Sequence, residues 1–210
     1  MCTVSREEQM KYRVPFALLL FSTLVCAAAV VQAETLTAAE LIEKARAQSR
    51  EIEELKKVMD SPDRNLRLAA FQLMMDSDNP VYRELAIESG LSSTDNLLRS
   101  QALKTALFNM NALYVDLAID QNAPKDAQEA SANALAEGLP RIVIDFTQKH
   151  PETDSIDIRT GNAGGSEIQG INYVFHASGR VGTLTLKDGA LLQGPVTISD
   201  RRYIGTARLR

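Results

Sequence analysis

Residues 171–198 read INYVFHASGRVGTLTLKDGALLQGPVTI. Apolar and polar side chains alternate with period two on either side of Ser178-Gly179, the mark of a β-hairpin with a two-residue turn. That turn pairs Tyr173 with Leu184 and Ile171 with Leu186, all facing inward. Face parity decides the next turn. If Asp188-Gly189 formed it alone, Val196 and Ile198 would point outward. A three-residue loop, Lys187-Asp188-Gly189, with Gly189 in the left-handed conformation, instead turns Ala190, Leu192, Val196 and Ile198 inward. A final turn over Ser199 to Arg202 pairs Ile198 with Tyr203 and leaves Ala207 and Leu209 inward. Residues 168–210 therefore read as a four-strand antiparallel meander.

Upstream, the same period holds from Arg141. Ile142, Ile144 and Phe146 alternate with polar neighbours, as do Ile156 and Ile158. The intervening Gly161-Asn162-Ala163-Gly164-Gly165 lacks the Gly-Lys-Ser/Thr ending of a phosphate-binding loop and reads as a linker. The expectation for 141–210 is a small antiparallel sandwich or barrel.

Before residue 140 the period is helical. An Ala-rich helix (Ala127, Ala130, Ala134) runs from near Pro124 to Glu137 and is stopped by Gly138 and Pro140. The charge changes at the same point. Residues 34–140 carry 11 basic and 18 acidic side chains, and residues 141–210 carry 9 and 7. The reading is an α+β protein with a helical half over 34–140 and a β half over 141–210.

The helical half contains a repeat of sixteen residues. Ser61, Ser77 and Ser93 recur at that spacing, as do Asp63, Asn79 and Asp95, then Arg67, Arg83 and Arg99. So do Ala70, Ala86 and Ala102, then Phe71, Ile87 and Leu103, then Met75, Leu91 and Leu107. Asp63, Asn79 and Asp95 are expected N-caps, and Pro80 takes the favoured first helical position. The alanine column lets neighbouring helices approach closely. Each unit is too short to be stable alone, so stacking must bury its apolar face. A degraded fourth copy is expected over Asn111, Tyr114, Val115, Ala118 and Ile119. The unit Leu66-Arg67-x-x-Ala70-Phe71 with Asp63 upstream resembles a HEAT-type repeat over 61–120. That resemblance implies an α-solenoid-like stack used for protein contacts, with the arginine column bonding to neighbouring caps or helix ends.

Ahead of the repeat, Thr37 and Glu40 form a capping box with Leu36 and Leu41 as its hydrophobic staple, opening a helix to about Met59. Its apolar positions Leu41, Ala45, Ile52, Leu55 and Met59 form a ladder expected to pack onto the rest of the chain. Further upstream, Lys11 and Arg13 precede an apolar run from Val14 to Val31, which ends Val31-Gln32-Ala33. A basic start, an apolar middle and small residues before the cut are the parts of a secretory signal peptide over 1–33, with Met1 or Met10 as the start. Val25 before Cys26 breaks a lipoprotein box. Both cysteines, Cys2 and Cys26, fall in this segment. The expected mature chain from Glu34 therefore has no disulfide, thiolate chemistry or Cys-ligated metal. With no Asn-x-Ser/Thr sequon either, the expected location is a bacterial periplasm, without stable membrane insertion after cleavage.

Composition narrows the function classes. Of 210 residues, 45% are hydrophobic and 24% charged, which is globular. Aromatics are only 5%, Trp is absent and the net charge is -4, which argues against nucleic acid as a partner. His150 lies near Glu152, Asp154 and Asp157, but without metal-ligand spacing or a nucleophile motif this reads as a solvated loop. No catalytic, metal or cofactor residue is nominated. The basic cluster Arg202, Arg208 and Arg210, on what reads as an exposed edge strand, is the candidate partner site, expected to meet acidic groups. The expected function is a non-catalytic module that binds another protein or itself. The alternative is a β half that takes a small anionic ligand or glycan. A pocket lined by polar groups from both halves would favour the second, and an apolar surface on the helices the first.

Overall fold

A computed structural model describes residues 37–138, 140–159 and 164–209. The chain divides into two compact units, residues 1–43 and 44–210. In the described part of the first, the Thr37 N–H donates to Glu40 Oε2 at 2.7 Å and the Glu40 N–H donates to Thr37 Oγ1 at 3.3 Å, a reciprocal cap. The expected signal segment 1–33 and Leu36 of the staple lie outside the described residues, as does Arg210. The capped helix, α1 (Ala38–Met59), continues into the second unit. Leu41 of its apolar ladder is 52% exposed, whereas Ile52 and Leu55 are half-buried and Met59 is buried.

The second unit continues with α2 (Arg64–Met75), α3 (Pro80–Ser92) and α4 (Asn96–Asn109), then β1 (Ala112–Ile119) and α5 (Lys125–Ala136). Seven further strands follow: β2 (Arg141–His150), β3 (Ser155–Ile158), β4 (Gly165–Gln169), β5 (Asn172–Ala177), β6 (Arg180–Lys187), β7 (Leu191–Ile198) and β8 (Arg201–Arg208). The protein is thus mixed helix and sheet, with an N-terminal helical part followed by a closed antiparallel barrel of eight strands among the described residues.

The helix starts follow from their caps. Asp63 accepts from the N–H groups of Asn65 and Leu66, Asn79 from Val81, and Asp95 from Leu97 and Leu98. Ala70, Ala86 and Ala102 are buried. α3 and α4 approach closely at Gly90, where an added Cβ would lie 2.7 Å from the Ala102 Cβ.

The expected fourth helical copy is instead strand β1. Leu113, Val115 and Leu117 are buried while Tyr114, Asp116 and Ala118 are exposed, a period of two that a helix cannot place on one face. β1 pairs with β2 through Val115 and Ile142, and with β8 through Leu117 and Gly205. Part of the barrel therefore lies before residue 140. β8 is bonded on both sides, to β7 and to β1, so it is not an edge strand.

Elsewhere the register follows face parity. Tyr173 pairs with Leu184, and the Leu186 N–H donates to the Ile171 carbonyl. Ala190, Leu192, Val196 and Ile198 are buried, as are Tyr203, Ala207 and Leu209. Three turns differ from expectation. Residues 168–177 are not one strand, because Gly170 at φ +60° turns the chain between β4 and β5. The three-residue loop is Asp188-Gly189-Ala190, with Lys187 already paired to Leu191 and both Gly189 and Ala190 at positive φ. The last turn is the two residues Ser199-Asp200, both left-handed, so Ile198 pairs with Arg201 and Val196 with Tyr203. Moving that pairing by two residues keeps the same faces inward, which is why burial alone does not reveal it.

The strand order gives the barrel two distinct ends. One carries the turns 150–155, 169–172 and 187–191, and α4 is bonded to it. Arg99 Nη2 donates to the Leu186 carbonyl at 2.9 Å, and Lys149 Nζ donates to the Phe108 carbonyl at 2.7 Å. Lys104 also donates to the Pro151 carbonyl and pairs with Asp154. The other end carries the turns 177–180 and 198–201. There α5 is tied down by Ser131 Oγ, which donates to the Arg202 carbonyl at 3.0 Å. The interior is filled by apolar side chains and an aromatic column in which Tyr173 meets Phe146 edge-on and Phe175 by stacking. The hydroxyl of Tyr203 is enclosed there without a hydrogen-bond partner among the described residues. Burial pushes the Tyr173 hydroxyl well above the ordinary phenol pKa, with Ser166 opposing by less.

Candidate functional site

Two concave sites lie at opposite ends of the barrel. The first is a groove of about 520 Å³ where α3 and α4 meet the helix-bonded end. Its apolar lining comes from both parts: Ile87, Leu91, Ala106 and Met110 from the helical part and its end, Ala190 and Leu209 from the barrel. Its polar lining, Arg83, Glu84, Glu88 and Asn109, comes from the helices alone. Arg83 is held from within its own unit, since Nη1 donates to the Ser77 carbonyl at 2.5 Å. The groove exists because α3 and α4 place small or apolar residues opposite a barrel end whose turn at Ala190 is itself apolar.

The helical part carries further uncovered apolar surface. Leu66 and Leu73 stand seven residues apart on one face of α2, 46% and 72% exposed, with exposed Ala69 between them. Leu97 and Val81 open the neighbouring helices and are also exposed.

The second concave site opens at the other end, between β2 and β5, where β3 stops short. It is a cavity of about 230 Å³. Ile144, Ile158 and Phe175 form its buried floor, and Val143 and Ala177 its wall. Arg159, Ser178 and Arg180 stand exposed at its rim.

Arg67 and Arg83 make the same bond, each to the serine carbonyl six residues upstream, whereas Arg99 turns to the barrel. Arg67 donates to the Ser61 carbonyl at 2.6 Å and pairs with the cap residue Asp95 at 3.3 Å. Arg83 bonds only within its own unit, and Arg99 reaches the barrel. Asp95 also meets Arg64 at 2.8 Å. Desolvation alone would raise the Asp95 pKa, but bonds from the Leu97 and Leu98 N–H groups and from Arg64 hold it below the ordinary carboxylate value.

The basic cluster at the chain end is not drawn together by a common partner. Arg202 lies 3.6 Å from buried Asp120, whose other oxygen accepts from the Asn122 N–H. Arg208 is exposed and makes no ion pair among the described residues. His150 sits 3.3 Å from Asp157 and 3.6 Å from Glu152. Among the described residues no group of three or more His, Cys, Asp and Glu is arranged to hold a metal ion, and no helix is long and apolar enough to cross a membrane.

Sequence reasoning did not single out either concave site. Arg180 carries a positional signal, sitting directly after the Ser178-Gly179 turn, and Arg159 directly follows β3. The chain matches no protein-family model, no curated protein and no solved structure.

Proposed function

We propose that this is an exported, non-catalytic binding protein of the bacterial periplasm that holds a partner protein against its helical part. The observation that carries the reading is the groove between α3, α4 and the barrel. Its apolar lining is contributed by both parts, while the barrel adds no polar group to it among the described residues. Small-molecule sites use a few convergent polar groups to fix orientation, whereas protein interfaces are anchored by apolar side chains seated in pockets. The uncovered Leu66 and Leu73 on α2 extend the same apolar character over the helices. Charge supports one kind of occupant. Glu84 and Glu88 rim the groove, and residues 34–140 carry 18 acidic against 11 basic side chains. The partner segment is therefore an apolar anchor flanked by Lys or Arg.

The helical part reads as three copies of one HEAT-like unit. In support, each unit places its serine Oγ to accept from the backbone N–H of its cap residue: Asp63 to Ser61 at 3.2 Å, Asn79 to Ser77 at 3.1 Å and Asp95 to Ser93 at 3.1 Å.

A photo-crosslinking residue at Glu84, in the full chain expressed in bacteria, tests the reading. The expected result is one discrete adduct, another protein or a second copy. Ile87→Asp should abolish it in a chain whose circular dichroism shows the fold retained, although the loss of Ile87 packing against the core will lower the melting temperature. No adduct, or an adduct that Ile87→Asp leaves intact, rejects the groove as the docking site.

A further inference from the structure

We infer that the opposite mouth of the barrel binds a small carboxylate with a compact apolar body. The site is separate from the helix-side groove, so either reading can fail alone.

The argument starts from strand lengths. β2 pairs with β1 along Ala112–Asp116, but its pairing with β3 begins only at Phe146 opposite Ile158. Beyond that point β2 has no described neighbour on the β3 side. Hydrogen-bonding parity shows which groups face the gap. The Phe146 N–H and the Pro140 carbonyl bond toward β1, whereas the Asp145 carbonyl accepts from the Arg159 N–H on the other side. In an antiparallel strand this direction alternates. The Val143 N–H and carbonyl therefore point into the gap, where no described strand meets them.

The floor of the gap is the barrel core itself. Ile144, Ile158 and Phe175 present a buried apolar surface that reaches the opening. Phe175 lines the cavity while buried, its ring lying over Gly182, its cross-strand partner, whose missing side chain gives the ring room. The volume of about 230 Å³ is smaller than the pockets of drug-sized ligands, roughly 300–1,000 Å³. It exceeds the roughly 150 Å³ of an apolar cavity that admits benzene. A phenyl ring or a short branched chain is the matching body.

The rim supplies the head-group chemistry. Arg159 and Arg180 both line the cavity, and neither makes an ion pair among the described residues. Asp145 and Asp200, exposed on the neighbouring strand and turn, do not neutralise them. The strand order also brings Arg141, Arg201 and Arg202 to this end. Arg141 is committed to Asp116 and Arg202 to Asp120; Arg201 makes no ion pair among the described residues but does not line the cavity, so Arg159 and Arg180 are the cations at its rim. Guanidinium groups match carboxylate geometry in paired hydrogen bonds. Two such groups above an apolar floor, with the Val143 N–H turned toward the gap, define an amphipathic anion site.

Calorimetric titration of the full chain with phenylacetate and hexanoate at low salt tests this. Both should bind, and the Arg159→Gln/Arg180→Gln pair should weaken binding about tenfold or more. Arg159→Lys/Arg180→Lys should restore part of the loss. Val143→Glu, which places a like charge on the half-open wall, should weaken binding in the same way without unfolding the protein. Inorganic phosphate and the neutral 2-phenylethanol separate the two halves of the claim. If phosphate binds as well as phenylacetate, the apolar floor contributes nothing. If 2-phenylethanol does, the arginines contribute nothing. Either result overturns the proposal, as does the absence of carboxylate binding to the unmodified chain.

Discussion

Arg99 on α4 donates through Nη2 to the Leu186 carbonyl on β6 at 2.9 Å, joining helix to barrel across 87 residues of chain. Its Nε is buried without a partner among the described residues, although the side chain as a whole is only half-buried. A hydrogen bond from a charged group contributes about 1.5–3 kcal/mol. Arg99→Met should lower stability by about 1–3 kcal/mol in urea titrations. Arg83→Met, which removes only a bond to the nearby Ser77, should cost less. Equal losses would mean that the helix-to-barrel bond adds nothing beyond local capping.

Asp95 is cap and ion-pair partner at once. Desolvation raises its pKa, but the Leu97 and Leu98 N–H groups and Arg64 outweigh that and hold it below the ordinary 3.8. A carboxyl depressed by folding adds stability that is fully present above its unfolded value and is lost as pH falls through the lower folded value. Asp95→Asn keeps an oxygen for the cap, as Asn79 does, but removes the charge facing Arg64 and Arg67. The variant should be less stable than the parent at neutral pH, and the gap should shrink below pH 3.8. Thermal melts at several pH values decide it; a gap that does not change with pH shows that the charge is irrelevant.

Tyr203 is 1% exposed and its hydroxyl has no partner. A buried hydroxyl left unbonded costs about 1–3 kcal/mol. Tyr203→Phe should therefore be neutral or stabilising, against the usual direction of core changes. A clear loss of stability in calorimetry would point to a buried water that satisfies the hydroxyl.

Gly182 faces the barrel interior under Phe175. An added Cβ would lie 2.5 Å from the Phe175 Cζ and 3.2 Å from the Val196 Cγ2. Gly182→Ala should cost roughly 1–3 kcal/mol by overpacking. Combining it with Phe175→Leu should recover part of the loss, a coupling that a double-mutant cycle measures. Additive effects would mean that the glycine serves the backbone and not the ring.

Much of the fold was legible because it rests on local chemistry. Ser-x-Asp/Asn caps, the Gly138 stop and the Ser178-Gly179 turn act within a few residues, and alternation assigns inner and outer faces without any partner. What escaped depended on distant chain or on special backbone. The sixteen-residue spacing carried the eye through Tyr114 and Ala118 into a fourth helix, while Leu113, Val115 and Leu117 alternated for a strand whose partners lie far downstream. Ser199-Asp200 takes two left-handed conformations without a glycine to signal them. The rim of the mouth was hidden for a similar reason. Arg159 and Arg180 are remote in sequence and line one cavity through the pairing of β3, β4 and β5, which is set by the whole sheet.

The closing seam of the barrel joins β1 to β8, the earliest strand to the latest. During synthesis, β1 emerges long before its second neighbour exists. Until residues 201–208 follow, both β1 and β7 expose unpaired backbone, and the chain is open to joining another copy edge to edge. Closure is thus a late, long-range event, and loss of the last strand leaves two adhesive margins rather than a slightly smaller protein.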